Sequence, residues 1–125
     1  MSMSVAAWKK HAISEHDLQV AVLENLKARA KPGYFCFAIP NGGERPKRTG
    51  ARLKQQGVHA GVADLCIMLP DSRVAWLELK AVNGQLTPQQ VTFREICLAL
   101  RHWYAVARTL DEAMTTLLDW GILRK

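Results

Sequence analysis

Two short apolar runs joined by a turn constrain the fold of this chain most. Residues 63–69 and 74–80 are mainly apolar, and the four residues between them, Pro70-Asp71-Ser72-Arg73, are mostly of turn-forming types. A link this short leaves an antiparallel hairpin as the simplest connection between two strands. The pattern therefore predicts a sheet built around a hairpin of these two runs.

Helical segments flank this hairpin, and capping residues mark where they begin. Ser14 followed by Asp17, Thr87 followed by Pro88, and the capping box of Thr109 and Glu112 each predict a helix start. Spacing of apolar residues and turn signals predicts helices over about 15–30, 49–56 (capped by Thr49), 88–100 and 110–120, and further strands over 34–39 and 103–107. The order predicts an α/β fold with a four-stranded mixed sheet flanked by helices, in which 74–80 and 103–107 are joined by a right-handed crossover.

Length and cysteine usage indicate one intracellular domain. The chain has 125 residues, which predicts a single domain over 14–125 preceded by an arm over 1–13. No run approaches the roughly 20 apolar residues of a membrane span, so we expect no membrane partner. The cysteines at 36, 66 and 97 are odd in number and lack metal-site spacing. Cys66 and Cys97 fall among apolar neighbours, which favours buried thiols and a cytoplasmic location.

The distribution of charge is more informative than the net value of +6. Between Glu44 and Asp64 the sequence has no acidic residue. The basic residues of that stretch are Arg45, Lys47, Arg48, Arg52 and Lys54, and His59 lies there too. The stretch is interpreted either as a solvated loop or as a segment that contacts phosphate groups, which would make these residues DNA-binding.

Three charged residues interrupt the two apolar runs of the hairpin. Glu78 and Lys80 are two residues apart, so on a strand their side chains share one face. Asp64 begins the neighbouring strand and can come close to Glu78. Two carboxylates with a lysine suit Mg²⁺, which takes one or two carboxylates and keeps several waters. The alternative is an exposed Glu–Lys pair at a strand end with a capping aspartate.

The length of the hairpin loop decides between these two interpretations. If residues 70–73 form a four-residue loop, Leu69 faces Val74, and Asp64 and Glu78 point to opposite faces of the sheet. A shared metal site therefore requires a loop of odd length, or a bulge near Asp64, where Gly61 favours a bend.

Several ordered motifs resemble one known family. They are Glu15 with Gln19; Ile39-Pro40-Asn41-Gly42-Gly43; residues 57–65, which read GVHAGVADL; Glu78-Leu79-Lys80; and residues 84–90, which read GQLTPQQ. Together they resemble the VRR-NUC (virus-type replication-repair nuclease) domain of the PD-(D/E)XK superfamily. The similarity extends over residues 14–118 and indicates a standalone form. One departure is Ala63, where the family usually has proline.

The resemblance implies a restriction-endonuclease-like αβββαβ core and a metal-dependent DNA endonuclease. It implies Mg²⁺ or Mn²⁺ as cofactor, and a homodimer that acts on branched DNA such as four-way junctions. The residues that it assigns to catalysis are Asp64, Glu78, Lys80 and Gln90, and those that it assigns to the metal are Asp64, Glu78, the main-chain carbonyl of Leu79, and Glu15.

Simpler interpretations of these residues stay open. An acidic residue such as Glu15 is favoured in the first turn of any helix, and Gln90 is equally consistent with a helix surface. A non-catalytic nucleic-acid-binding protein would use the basic stretch alone, and a nuclease subunit of a larger replication or restriction complex would have the same sequence features.

Overall fold

The computed structural model describes residues 13–40 and 47–125, without the side chains of Lys47 and Arg48. Part of the predicted arm, the motif at 41–43 and Arg45 lie outside these residues. The described elements, in chain order, are α1 (Glu15–Arg29), β1 (Phe35–Ala38), α2 (Lys47–Gln55), β2 (Leu65–Met68), β3 (Val74–Leu79), α3 (Pro88–Ala99), β4 (Trp103–Ala107) and α4 (Leu110–Asp119).

The four strands form one mixed sheet in the order β1-β2-β3-β4. The first three strands are antiparallel neighbours, and β4 runs parallel to β3. A parallel pair needs a crossover, and α3 supplies it. The predicted α/β class, the mixed four-stranded sheet and the αβββαβ order are therefore confirmed.

Each face of the sheet is covered by different helices. One buried cluster joins β2 and β3 to α1 and α4, and its members include Leu65, Leu77, Leu18 and Leu117. Side chains alternate along a strand, so the neighbouring positions point to the opposite face, where Trp76 packs against Phe93 of α3. The polar residues of interest lie on this second face, between the sheet and α3.

Most helix starts follow the predicted caps. The hydroxyl of Ser14 accepts a hydrogen bond from the backbone N–H of Asp17, and the hydroxyl of Thr87 accepts one from the N–H of Gln90. Both predicted caps are therefore confirmed. Thr109 also caps its helix, but Glu112 accepts from the N–H of Arg108 instead of closing a box with Thr109. The prediction that Thr49 caps a helix is wrong, because α2 begins at Lys47 and Thr49 lies in its first turn.

The β2–β3 connection does not match the four-residue turn cluster in the sequence, because a hydrogen bond between Leu69 and Arg73 closes a three-residue turn over residues 70–72. Leu69 leaves the strand, and its N–H donates to the carbonyl of Arg73. Met68 therefore pairs with Val74, and residues 69–73 connect the strands. Ser72 has a φ of 75°, the left-handed conformation that three-residue hairpin turns use at their last position. The four-residue loop is thus excluded, and the required odd loop is present.

The cysteines agree with one further expectation. Cys66 and Cys97 are buried free thiols, and Cys36 is half-buried. Within residues 13–40 and 47–125, no helix is both long and apolar enough to span a bilayer.

Candidate functional site

Asp64 and Glu78 face each other across the β2–β3 hairpin. Leu65 pairs with Leu77, and continuing this register by one residue places Asp64 opposite Glu78. Directly opposite residues of an antiparallel pair project to the same side of the sheet. The prediction that the two carboxylates share one face is confirmed.

Hydrogen bonds position the two carboxylates. Oδ2 of Asp64 accepts from the N–H of Leu79 at 2.8 Å, which ties the start of β2 to the end of β3. Oε1 of Glu78 accepts from the side-chain amide of Gln90 at 3.3 Å. The site therefore joins the hairpin to the first turn of α3.

A close backbone contact brings the segment before Asp64 into place. Gly61 has a φ of +90°, and a Cβ added there would overlap the carbonyl group of Gln89 and lie 2.8 Å from the backbone nitrogen of Gln90. Only glycine combines this conformation with so close an approach. The bend expected at Gly61 is present, and it places Gly61 against the backbone of Gln89 and Gln90 in the first turn of α3.

Glu78 is an unusual carboxyl group because it is only 3% exposed. Its Oε2 atom is buried and has no protein partner among the described residues. Burial, followed by the negative charge of Asp64, raises its pKa to about 8. A buried carboxylate beside another is disfavoured unless a cation lies close to it.

Lys80 supplies one opposing charge. It is half-buried, follows the end of β3, and its positive charge lowers the pKa of Glu78. Lys80 follows directly after β3, and a side chain on the same side as Glu78 stays a prediction from the two-residue spacing. Its backbone N–H donates to the carbonyl of Ala107, so β4 holds this position in place.

Glu15 reaches the site from α1. Its Oε1 accepts from the N–H of Ala81 at 3.3 Å, and its charge also raises the pKa of Glu78. In the described part of the chain, however, no three His, Cys, Asp or Glu side chains meet closely enough to form a metal cluster. The role of Glu15 as a metal ligand stays a prediction.

Gln90 both caps α3 and contacts Glu78. Its Oε1 accepts from the N–H of Thr87 at 2.8 Å, which completes a capping box, while its amide nitrogen donates to Glu78. The spacing of Thr87 and Gln90 is the sequence signal for this box. The box fixes the amide in the orientation that contacts Glu78.

The donor set fits a hard divalent cation. Mg²⁺ is commonly bound through one or two carboxylates, with water completing its coordination. Asp64 and Glu78 are two such groups, and the buried Oε2 of Glu78 is an acceptor that no protein donor in the described residues satisfies. We conclude that these two residues are suited to hold Mg²⁺ or Mn²⁺ together with water.

The raised pKa of Glu78 predicts how the stability of the metal-free protein depends on pH. Between its ordinary value of 4.5 and about 8, the unfolded chain has lost this proton while the folded protein keeps it. Stability should therefore fall as pH rises through this window, by about 1.4 kcal/mol per pKa unit at most. In a chelator, Glu78→Gln should melt several degrees above wild type at pH 8.5 and show a smaller difference at pH 5. Equal differences at both pH values would contradict the assignment.

The basic stretch leads directly into this site. Arg52 and Lys54 are exposed on α2, and His59 is exposed in the segment that connects α2 to Asp64. Lys47 and Arg48 begin the helix, but their side chains are outside the described part. The structure thus places two exposed basic side chains and a histidine before the carboxylate pair, and their binding role stays a prediction.

Two solved structures have a similar fold. One, a VRR_NUC domain protein, is 21% identical, with a TM-score of 0.73 and coverage of 90% of this chain and 98% of that chain. Another, a VRR_NUC domain, is 16% identical, with a TM-score of 0.57 and coverage of 86% and 97%. No family model and no curated protein matches the sequence. Since the likeness extends over most of both chains, this protein has the fold of a VRR_NUC domain.

Proposed function

We propose that this protein is a divalent-metal-dependent nuclease that hydrolyses phosphodiester bonds in DNA. The observation that carries the proposal is the pairing of Asp64 with the buried Glu78 on one face of the sheet, with Lys80 beside them. The names of the two similar structures include a nuclease domain, which supports the same activity.

Asp64 and Glu78 would hold the cation. A bound Mg²⁺ or Mn²⁺ would polarise a phosphoryl oxygen and make a bound water more acidic. The N–H of Leu79 fixes Asp64 and the amide of Gln90 fixes Glu78, so the two carboxylates are oriented before any cation binds. The main-chain carbonyl of Leu79 and the carboxylate of Glu15 are further proposed ligands.

Lys80 is proposed to act on water and on phosphate. Its positive charge lowers the pKa of Glu78, which supports a position near that carboxyl group. From there it can orient the attacking water by hydrogen bonding, or stabilise the negative charge that develops on the phosphate.

The activity is tested most simply with a panel of DNA structures. Purified protein is incubated with Mn²⁺ and duplex, flap, fork or four-way DNA, and parallel reactions contain a chelator. We expect metal-dependent cleavage of at least one substrate. Binding to DNA without cleavage of any substrate would overturn the proposal in favour of a non-catalytic nucleic-acid-binding protein.

Branched DNA and a homodimer are narrower proposals that rest on the family resemblance. A two-fold dimer would present two active sites to two strands, which suits symmetric cleavage of a four-way junction. A cytoplasmic location is proposed from the free thiols. Light scattering with and without junction DNA tests the dimer, and cleavage by the purified protein alone distinguishes a free enzyme from a subunit that needs a larger complex.

The exposed basic residues of α2 predict a salt-dependent affinity. Changing Arg52 and Lys54 to glutamine should weaken binding to every DNA shape alike. The slope of log affinity against log salt should flatten by about 0.9 for each lost phosphate contact on duplex DNA. Fluorescence anisotropy at several salt concentrations measures this slope.

A matched control separates local contacts from net charge. Lys27 and Lys31 are also exposed, but they lie at and after the C-terminal end of α1. Changing both to glutamine removes the same charge and should leave the slope nearly unchanged. If the two double variants behaved alike, α2 would be an ordinary solvated helix.

A further inference from the structure

Tyr104 lies beside the carboxylate site on the neighbouring strand. It pairs in register with Trp76, which is two residues before Glu78. In the same parallel register Glu78 pairs with Val106, two residues after Tyr104, so Tyr104 and Glu78 are diagonal neighbours on one face of the sheet. Phe93 of α3 contacts both rings, with centroids 5.0 Å from Trp76 and 6.4 Å from Tyr104. Tyr104 therefore shares the layer between the sheet and α3 that also contains Glu78.

Two buried side-chain atoms of the described residues lack a protein partner, and both belong to this layer. They are the hydroxyl oxygen of Tyr104 and Oε2 of Glu78. Buried polar atoms nearly always have a hydrogen-bond partner, which is often a water molecule. A phenol can donate and a carboxyl oxygen can accept, so these two atoms complement each other.

Electrostatics agree with this arrangement. Burial, followed by the negative charge of Glu78, raises the pKa of Tyr104 to about 12, while Arg94 lowers it and Asp64 raises it to a smaller extent. The hydroxyl is thus close enough to experience both carboxylates. It also keeps its proton, and with it the ability to donate, throughout the pH range in which a nuclease is assayed.

We propose that Tyr104 is a positioning residue, whose hydroxyl donates a hydrogen bond through one bound water to Oε2 of Glu78. Each carboxylate oxygen has two lone pairs, so this bond leaves a second one for a cation. Glu78 would then be held at Oε1 by Gln90 and at Oε2 through Tyr104. The catalytic consequence rests on the proposed nuclease function, but the link between the two side chains does not.

The link is tested without metal or DNA by a double-mutant cycle. Tyr104→Phe removes only the hydroxyl, and Glu78→Met removes both acceptor oxygens at similar volume. Melting temperatures of the two single variants and the double variant are measured in a chelator at pH 8.5. We expect the shifts to depart from additivity by roughly 2 °C or more. Additive shifts would overturn the proposal.

A tyrosine on the other face of the sheet provides the control. Tyr34 is half-buried and packs against the cluster that joins the sheet to α1 and α4. Tyr34→Phe removes the same atom and should combine additively with Glu78→Met. Coupling as large as that of Tyr104→Phe would show a global effect on the fold and would overturn the assignment.

Catalysis provides the second readout. Tyr104→Phe should lower kcat about tenfold, since a hydrogen bond to a charged group is lost, and leave KM and metal-free DNA affinity unchanged. Wild-type turnover by this variant would overturn the positioning role. If wild type cleaved no DNA while the thermal coupling was present, the proposed nuclease function would fail and the link to Glu78 would stand.

Discussion

The Gly61→Ala variant should lose stability by about 3 kcal/mol or more, which lowers the melting temperature by roughly 10 °C. Two costs add together. The φ of +90° is strained for any residue with a Cβ, and the new methyl group would overlap the backbone of Gln89. Backbone cannot move aside as a flexible side chain can. The segment before Asp64 would have to separate from α3, so cleavage should be lost as well.

Gly57 offers a matched control for this prediction. Its φ is +91°, nearly the same as that of Gly61, but a Cβ added there would meet no atom within 4 Å. Gly57→Ala therefore carries the conformational cost alone, about 1–2 kcal/mol. Urea denaturation of both variants measures the difference. Equal losses would show that the contact between Gly61 and α3 contributes nothing.

Local signals account for the parts of the fold that the sequence predicts well. Strand β4 has the predicted bounds, and the helix after Thr87 begins where the cap and Pro88 indicate. Caps and short apolar runs depend on neighbouring residues only, so they are visible in one sequence. The prediction of a cap at Thr49 is wrong because several residues near a helix start can act as caps, and only the backbone conformation shows which one does.

The composition of the hairpin does not determine which residues of its two strands pair with each other. Leu69 is apolar and reads as strand, yet it belongs to the connection, because Ser72 adopts a left-handed conformation that glycine or asparagine usually occupies. A site shared by the two carboxylates requires a loop of odd length or a bulge, and this requirement holds without knowing which residues form the loop. The requirement for a shared carboxylate site therefore predicted the register of the hairpin correctly, whereas the four-residue turn cluster did not.

The contacts around the two carboxylates join residues that are far apart in the sequence. Asp64, Glu78 and Lys80 were predicted because two strands of one hairpin carry them. The contact of Gly61 with α3 and the approach of Tyr104 to Glu78 depend on how a distant helix and strand pack on the hairpin. No spacing in the sequence reports such packing.

The Glu78→Gln variant should reduce DNA cleavage by at least about 10³-fold, which corresponds to several kcal/mol of lost stabilisation of the transition state. Gln is nearly the same size as Glu, and the change removes a buried charge, so folding should be preserved or improved. Affinity for DNA without metal should be nearly unchanged. Single-turnover cleavage with Mn²⁺, together with anisotropy in a chelator, separates the two effects.

An exposed glutamate on α3 controls for the loss of charge. The side chain of Glu95 is 64% exposed and forms only a surface ion pair with Arg94. Glu95→Gln changes the net charge by the same amount and should cleave like wild type. Comparable loss in both variants would mean that overall charge, and not the site, governs the rate.

Binding of Mn²⁺ to the DNA-free protein tests most directly whether Asp64 and Glu78 form a metal site. In a calorimetric titration at pH 8.5, wild type should show saturable binding of Mn²⁺, and Glu78→Gln should show little or none. This result would establish the cation site independently of any DNA substrate. Equal binding of Mn²⁺ by wild type and Glu78→Gln, or none by either, would contradict the account.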